Sequence, residues 1–233
     1  MIMNKTKRIL LAWLFPVVGF VLLTQVPWTT PNEFKTVKGV EIKNLEGIHE
    51  GYSVVREGSG YHRFTINVSA EHISEVYRRL IREVSEPGYL LFEVATPNAI
   101  EETLRKTPTD PLHKDLYRLD DVNRAMADDI YSQYKYLLVN DGRVMFGFSS
   151  SKGNDDVFVG AYKIITILTD QPDKYTRVLA ERGWAKEDNI KTVWKTFTHD
   201  SPGQRSSLKG RKTTIHDMVE DLKKQGLRFI ERK

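Results

Sequence analysis

His199 and Asp200 are the residues of this chain whose types most directly suggest catalysis. They are consecutive, precede Ser201, and follow an aromatic-rich segment over residues 192–198. Histidine, carboxylate and hydroxyl groups are the components of a hydrolytic triad, but a triad needs members that approach from separate elements of the fold. The same sequence is typical of a β-turn, because Asp, Ser, Pro and Gly favour turn positions. His199 and Asp200 are therefore catalytic candidates that depend on a partner from another segment.

Asp155 and Asp156 are the acids that could supply this partner. They lie in a polar, glycine-containing segment over residues 149–156, which is predicted to be a loop. General acid–base catalysis requires carboxylates that converge on one site. A hydrolase-like enzyme assembled from this loop and His199–Asp200 is therefore one functional hypothesis. The loop lacks the alternating oxygen ligands and distal Glu of an EF-hand, so we predict no bound metal.

A basic segment over residues 204–212 is the main binding candidate. Among its serines and glycine it contains four cationic side chains, Arg205, Lys209, Arg211 and Lys212. Such a segment can contact a phosphate-rich polymer or lipid headgroups. It lacks the interleaved aromatic residues on which the bases of single-stranded nucleic acids stack. Nucleic acid is therefore not the partner that we expect.

Residue types and spacing exclude several other chemistries. Cysteine is absent, which rules out disulfides, thiolate zinc sites, iron–sulfur clusters and thiol nucleophiles. The six histidines show neither His-x-His nor His-Glu-x-x-His spacing. The sequence also contains no phosphate-binding glycine loop and no Gly-x-Ser-x-Gly elbow. We predict no cofactor, and we favour a non-enzymatic module over an enzyme.

Positive charge is concentrated in the C-terminal part of the chain. The formal net charge is +4, and residues 183–233 carry 8 Lys and 4 Arg against 7 acidic residues. The rest of the chain is close to neutral. This asymmetry favours a protein or an anionic cell-envelope polymer as partner, although a solvated surface accounts for the same composition.

Residues 9–26 form an apolar segment that predicts a transmembrane helix. No charged residue occurs between Ile9 and Asn32, and a helix over residues 9–26 is about 27 Å long, close to the roughly 30 Å thickness of the bilayer interior. A cleaved signal sequence is the alternative, because the flank over residues 1–8 is basic. Alanine and glycine are absent directly after Leu23, where cleavage is expected. We therefore predict an uncleaved anchor in the lipid bilayer.

The charges beside this segment predict its orientation. Lys5, Lys7 and Arg8 lie close to its N-terminal end, and positively charged flanks tend to stay in the cytoplasm. This arrangement is typical of a bacterial single-pass protein of the cell membrane with an extracytoplasmic C-terminal domain. Lys35 and Lys38 on the other flank leave a second orientation open, in which a cytoplasm-facing domain contacts anionic lipid.

The remainder of the chain is typical of an α+β domain. We predict a juxtamembrane linker and first strand region over residues 27–51 and a soluble domain over 52–233, with a possible boundary near 107–111. Runs of strands with interspersed helices favour a mostly antiparallel sheet with helices packed on one face.

Hydrophobic periodicity and turn residues predict the individual elements. Strands are expected over residues 52–56, 61–68, 89–95, 136–139, 143–149, 157–168, 192–198 and 227–230. The stretch over 157–168 is either one strand or two strands divided at Gly160. Helices are expected after Ser69 and Thr96, and over about 116–130, 172–182 and 215–225. Asn140-Asp141-Gly142 is predicted to be a hairpin turn.

These features favour a membrane-anchored, extracytoplasmic binding or interaction module of unknown ligand. The hydrolase-like enzyme and the cytoplasm-facing, lipid-contacting domain are the alternatives.

Overall fold

A computed structural model describes residues 33–58, 60–107 and 109–233. The predicted anchor over residues 9–26 and its basic flank lie outside these residues. No helix in the described ranges is long and apolar enough to cross a bilayer. The described part of the chain, from Glu33 to Lys233, clusters as one unit.

The described residues form strands that are mostly short. These are β1 (Val40–Glu41), β2 (Gly51–Arg56), β3 (His62–Asn67), β4 (Gly88–Ala95), β5 (Lys114–Val122), β6 (Met145–Ser150), β7 (Asp156–Val159), β8 (Ile165–Thr169), β9 (Lys186–Glu187), β10 (Gln204–Arg205) and β11 (Arg228–Arg232). The helices among them are α1 (Ile73–Ile81), α2 (Asn98–Leu104), α3 (Arg124–Asn140), α4 (Pro172–Glu181) and α5 (Ile215–Lys223). Single 3₁₀ turns occur at Ala161–Lys163 and Val193–Thr196.

Nine of these strands form one sheet in the order β11-β5-β4-β6-β7-β8-β3-β2-β9. Its pairs are antiparallel except for β2 with β9. Strands β1 and β10 pair separately, in a small antiparallel ribbon. The prediction of an α+β fold with a mostly antiparallel sheet is confirmed. Strands β4 and β5, on either side of residues 107–111, are neighbours in the large sheet.

Two rows of registered apolar side chains hold the sheet to its helices. One row contains Tyr117, Phe92, Phe146, Val159, Ile165, Ile66 and Tyr52. The other contains Leu119, Leu90, Phe148, Val157, Ile167, Phe64 and Val54. Alternate residues of a strand point to the same face, so each row lies on one face of the sheet. All of these side chains except Val54 are buried.

Aromatic side chains of three helices pack on these rows. Tyr77 of α1 and Tyr131 of α3 lie 4.9 and 5.9 Å from the Phe146 ring, measured between ring centroids. Tyr175 of α4 lies 6.1 Å from the Phe64 ring. Aromatic pairs at these separations stabilise beyond the area they bury, so the rings fix how the helices sit on the sheet.

The helices and strands with the clearest local sequence patterns were predicted correctly. The hairpin of β2 and β3, the apolar face of α1, and the start of α4 at Pro172 are confirmed. Helix α5 begins after Thr214, which forms a capping box with Asp217. Ser69 was predicted to cap α1, but its hydroxyl accepts a hydrogen bond from the Lys35 amide, 3.0 Å away.

The helix predicted over residues 116–130 is wrong in its first half, which is strand β5. The alternation was hidden because the inward-facing Asp115 is 1% exposed and polar, and is paired with Arg232 at 2.5 Å. Asp121 then adopts a left-handed φ of 56°, and the register with β4 shifts near this end of the pair. The buried apolar residues Tyr117, Leu119 and Val122 are therefore separated by two and then by three positions. A separation of three is also typical of a helix.

The strand predicted over residues 136–139 is also wrong, because α3 continues to Asn140. Leu137 and Leu138 extend the helical spacing of Ile130 and Tyr134, and all four are buried. Residues 140–142 therefore end a helix rather than turn a hairpin. The strand predicted over 192–198 is instead a 3₁₀ turn, in which the Thr196 hydroxyl donates to the Val193 carbonyl.

Three distant segments meet backbone to backbone at a glycine junction formed by Gly39, Gly142 and Ser206. The Gly39 amide donates to the Asn140 carbonyl at 2.8 Å, the Gly142 amide to the Ser206 carbonyl at 3.0 Å, and the Ser206 amide to the Gly39 carbonyl at 2.9 Å. A Cβ atom on Gly142 would lie 1.8 Å from the Gly39 carbonyl oxygen, and one on Gly39 would lie 2.2 Å from the Gly142 nitrogen. Only glycine permits this approach.

Replacing Gly142 with alanine should therefore destabilise the fold. Because the clash is with backbone rather than with a flexible side chain, we expect Gly142→Ala to lower the free energy of unfolding by about 2–3 kcal/mol. Urea denaturation of the full chain in non-ionic detergent measures this. Gly58→Ala is the matched control, since its Cβ would have no heavy atom within 4 Å. Equal stabilities of the two variants would contradict the packing assigned to the junction.

Candidate anion-binding groove

Residues of the segment from Gly203 to His216 line three neighbouring cavities, which together we call the basic groove. The first cavity has a volume of about 390 Å³, and the second, of about 230 Å³, shares Ala95 and Arg143 with it. The third, of about 510 Å³, shares Leu137 and Thr213 with the second. The shared lining residues show that the three cavities are direct neighbours along this segment.

The first cavity brings together cations from three separate segments. Arg143 follows the end of α3, Arg205 lies in β10, and Lys114 begins β5. Lys114 donates to the Glu93 carboxylate at 2.6 Å. Within the described ranges, Arg143 and Arg205 have no carboxylate within 4.0 Å, and both are half-buried. Two guanidinium groups therefore face this cavity without a charge partner from the described residues.

Tyr162 forms an aromatic wall of the first cavity. Its hydroxyl donates to the Gly203 carbonyl at 2.9 Å, and the Arg205 guanidinium lies 5.4 Å from its ring centroid. The Trp194 and Phe197 rings pack edge-on against Tyr162, with centroids 4.7 and 4.9 Å away. Two neighbouring rings therefore hold the wall in place, and the cation–π contact orients Arg205.

Asp141 connects the two sides of the groove. Its carboxylate is 3% exposed and accepts hydrogen bonds from the Arg143 amide at 2.9 Å and the Leu208 amide at 3.0 Å. Both of its oxygens are used by backbone donors. The Asp141 charge thus positions the segments that carry the cations instead of pairing with a cationic side chain.

Lys163 lies beneath the first cavity as a buried amine. It is 3% exposed, and its Nζ donates to the Leu138 carbonyl at 2.8 Å and the Val144 carbonyl at 2.6 Å. Burial lowers its pKa to about 7; Asp141 opposes this shift and Arg205 adds to it. A neutral amine still has two N–H groups, so deprotonation preserves both hydrogen bonds. The side chain ties the end of α3 to the start of β6, on either side of Arg143.

The third cavity contains two further cations of the basic segment. The Arg211 guanidinium lies 4.1 Å from the Tyr136 ring centroid, and Lys212 lines the same cavity. Lys38 donates to the Tyr136 hydroxyl at 3.0 Å, and this hydrogen bond lowers the pKa of that hydroxyl. The one acid of this cavity, Asp221, accepts from Lys224 at 2.8 Å. Its charge is therefore matched.

The predicted binding residues are thus divided along the groove. Arg205 lines the first cavity, and Arg211 and Lys212 line the third. Lys209 is exposed and lies outside the lining of the three cavities. No local pattern of residues points to Arg143 or Tyr162, because segments far apart in the chain bring them to the site.

The predicted catalytic residues do not come together. His199 and Asp200 are exposed, and neither makes a hydrogen bond or ion pair within the described ranges. Asp155 and Asp156 lie at the start of β7. Phe197, two residues before His199, packs on Tyr162 beyond the other end of that strand.

Asp155 is a buried connector between elements. It is 2% exposed and accepts from the Thr169 hydroxyl at 2.8 Å and from Lys174 at 2.6 Å. These contacts join the start of β7 to β8 and α4. Asp156 is the half-buried first residue of β7.

The low pKa of Lys163 predicts a pH dependence of stability. Its folded-state pKa, about 7, lies below its ordinary value of 10.5, so the unfolded chain binds more protons between these values. The free-energy cost of burying the charged Lys163 amine is fully present below pH 7 and is lost as the pH rises toward 10.5. Stability therefore rises with pH, by at most about 1.4 kcal/mol per pH unit. Lys163→Met should remove this slope, and urea denaturation of both proteins between pH 7 and pH 9 measures the difference. Parallel pH profiles would show that the amine is charged throughout.

Geometry and charge within the chain itself must carry the functional assignment. No family model, no curated protein and no solved structure matches the chain.

Proposed function

We propose that residues 33–233 form a non-enzymatic module that binds an anionic ligand in the basic groove, and that residues 9–26 tether this module to the outer face of a cell membrane. The observation that carries the proposal is the pair Arg143 and Arg205. Both face one cavity, and neither has a carboxylate partner in the described ranges. Guanidinium groups bind carboxylate and phosphate oxygens through paired, charge-assisted hydrogen bonds.

The packing around the cavity supports binding because the backbone that carries the two cations is already placed. Asp141 fixes the backbone at Arg143, and the glycine junction fixes the residue after Arg205. A site whose backbone is held before the ligand arrives loses less conformational entropy on binding. The surrounding Pro111, Leu112 and Tyr162 supply apolar walls, as is usual for ligand pockets.

A membrane position supports an envelope polymer as the ligand. The sequence of residues 9–26 is apolar and long enough to cross a bilayer, and its basic flank favours an outward-facing domain. A tethered module with an anion-binding groove would meet acidic polymers of the cell envelope at high local concentration. The hydrolase alternative has less support, because His199 has no hydrogen-bond partner in the described residues.

Binding is tested with two acidic probes, a short oligogalacturonate and a short oligo(glycerol phosphate), added to the full chain in non-ionic detergent. Removing both guanidinium groups with Arg143→Gln/Arg205→Gln should weaken binding of at least one probe by about tenfold or more, since a charge-assisted hydrogen bond contributes about 1.5–3 kcal/mol. Isothermal titration calorimetry measures the affinities.

The matched control is Arg56→Gln/Arg177→Gln, which removes the same charge from exposed positions outside the groove. It should retain the wild-type affinity. A loss of affinity equal to that of the groove variant would assign binding to net charge, and wild-type affinity of both variants would reject the groove as the site.

The membrane part of the proposal predicts the side on which the C-terminus lies. A reporter enzyme that is active only outside the cytoplasm, fused after Lys233, should be active, and the fusion should stay in the membrane fraction after a high-salt wash. A reporter that is active only in the cytoplasm serves as the converse fusion. Activity of this second fusion alone would place the domain in the cytoplasm, and release by salt would remove the tether.

A further inference from the structure

We infer that the ligand of the basic groove is a linear polyanion without planar bases, lying from the Arg143–Arg205 pair to the Arg211–Lys212 pair. This inference rests on the proposed function and extends it from one anionic group to a chain of them. The two cationic pairs line the first and third cavities, and the second cavity shares residues with both. A chain of anionic groups that occupies the three neighbouring cavities would therefore contact both cationic pairs.

The charge along the groove is suited to a polyanion. Arg211 and Lys212 are exposed and, like the first pair, have no carboxylate within 4.0 Å in the described ranges. The acids that line the cavities are already engaged. Asp141 accepts two backbone amides, and Asp221 is paired with Lys224. Among the described lining residues, the carboxylate without a cationic partner is Asp141, which is 3% exposed and whose two oxygens each accept a backbone amide.

The aromatic residues of the groove argue against a nucleic acid. Bases of single-stranded nucleic acids bind by stacking on successive open rings. In this groove, the Arg211 guanidinium lies over the Tyr136 ring and the Arg205 guanidinium lies by the Tyr162 ring. Cations thus occupy the rings that successive bases would need. Chains whose units are not planar, such as polyuronates and polyol phosphates, require only positive charge in the cavities that they occupy.

The dependence of affinity on salt concentration tests the inference, because each phosphate or carboxylate neutralised by a protein cation adds to the slope of log affinity against log salt. The probes are oligogalacturonate, oligo(glycerol phosphate) and single-stranded oligouridylate of equal charge, with galacturonate monomer as a single anion. All are titrated into the full chain in non-ionic detergent. The variants are Arg143→Gln/Arg205→Gln, Arg211→Gln/Lys212→Gln and the control Arg56→Gln/Arg177→Gln.

We expect each groove variant to weaken binding of the same oligomer by about tenfold or more, and to reduce its salt slope by about 1–2, the change for two lost contacts. The control variant should leave both unchanged. Binding of the monomer should respond only to the Arg143–Arg205 variant, because one anion occupies one cavity. The oligogalacturonate and oligo(glycerol phosphate) arms identify whether the chain carries carboxylates or phosphodiesters.

The outcomes separate the inference from the proposed function. If Arg211→Gln/Lys212→Gln keeps the affinity and slope of the wild type, the ligand is confined to the first cavity, and the polyanion is rejected while anion binding stands. If oligouridylate binds more tightly than both other oligomers, the exclusion of planar bases is wrong. If neither groove variant affects any probe, both proposals fail. Unfolding curves of all variants confirm that each one is folded.

Discussion

The glycine junction is the constraint on which the groove depends. Three backbones approach so closely at Gly39, Gly142 and Ser206 that no side chain fits between the two glycines. Arg143 follows one of these residues directly, and Arg205 precedes another. A contact made only of main-chain atoms therefore sets the relative position of the two backbone segments that carry the guanidinium groups. The rest of the site adds to this frame: Asp141 receives amides from both sides, and Lys163 joins the ends of α3 and β6.

Three buried carboxylates of the described residues hold separate segments of the fold in position. Asp115, Asp141 and Asp155 are each 3% exposed or less, and each accepts hydrogen bonds from more than one element of the fold. A buried carboxylate is tolerated only when its oxygens are hydrogen-bonded. Such residues look like functional acids in a sequence. Asp155, a catalytic candidate in the sequence, forms such a connection to Thr169 of β8 and Lys174 of α4.

The fold could be predicted where local chemistry is strong. The turn between β2 and β3, the apolar face of α1, and the cap of α5 each depend on residues within a few positions of one another. Strand β5 could not be predicted in this way, because the inward position of Asp115 makes sense only once Arg232 lies beside it. The end of α3 was misassigned for a related reason, since Asn140-Asp141-Gly142 has the residues of a hairpin turn but lies at a junction with two distant segments.

The candidate site was predictable only in part, and for the same physical reason. Arg205, Arg211 and Lys212 occur in one basic segment and are visible as a charge cluster. Arg143 and Tyr162 come from segments that no pattern connects with that cluster. Within the described part of the chain, Arg143 and Tyr162 are recognised as site residues only because they line the same cavity as Arg205 in the folded structure.

The spacing of the glycine junction along the chain also has a consequence for biogenesis. Its members are numbered 39, 142 and 206, so the contact closes very long loops, and such contacts form slowly. During synthesis the first member leaves the ribosome long before the last. The large sheet can acquire most of its strands in that interval, whereas the basic groove cannot form until the final quarter of the polypeptide has been made. A prematurely terminated product would therefore have most of the scaffold without the basic groove.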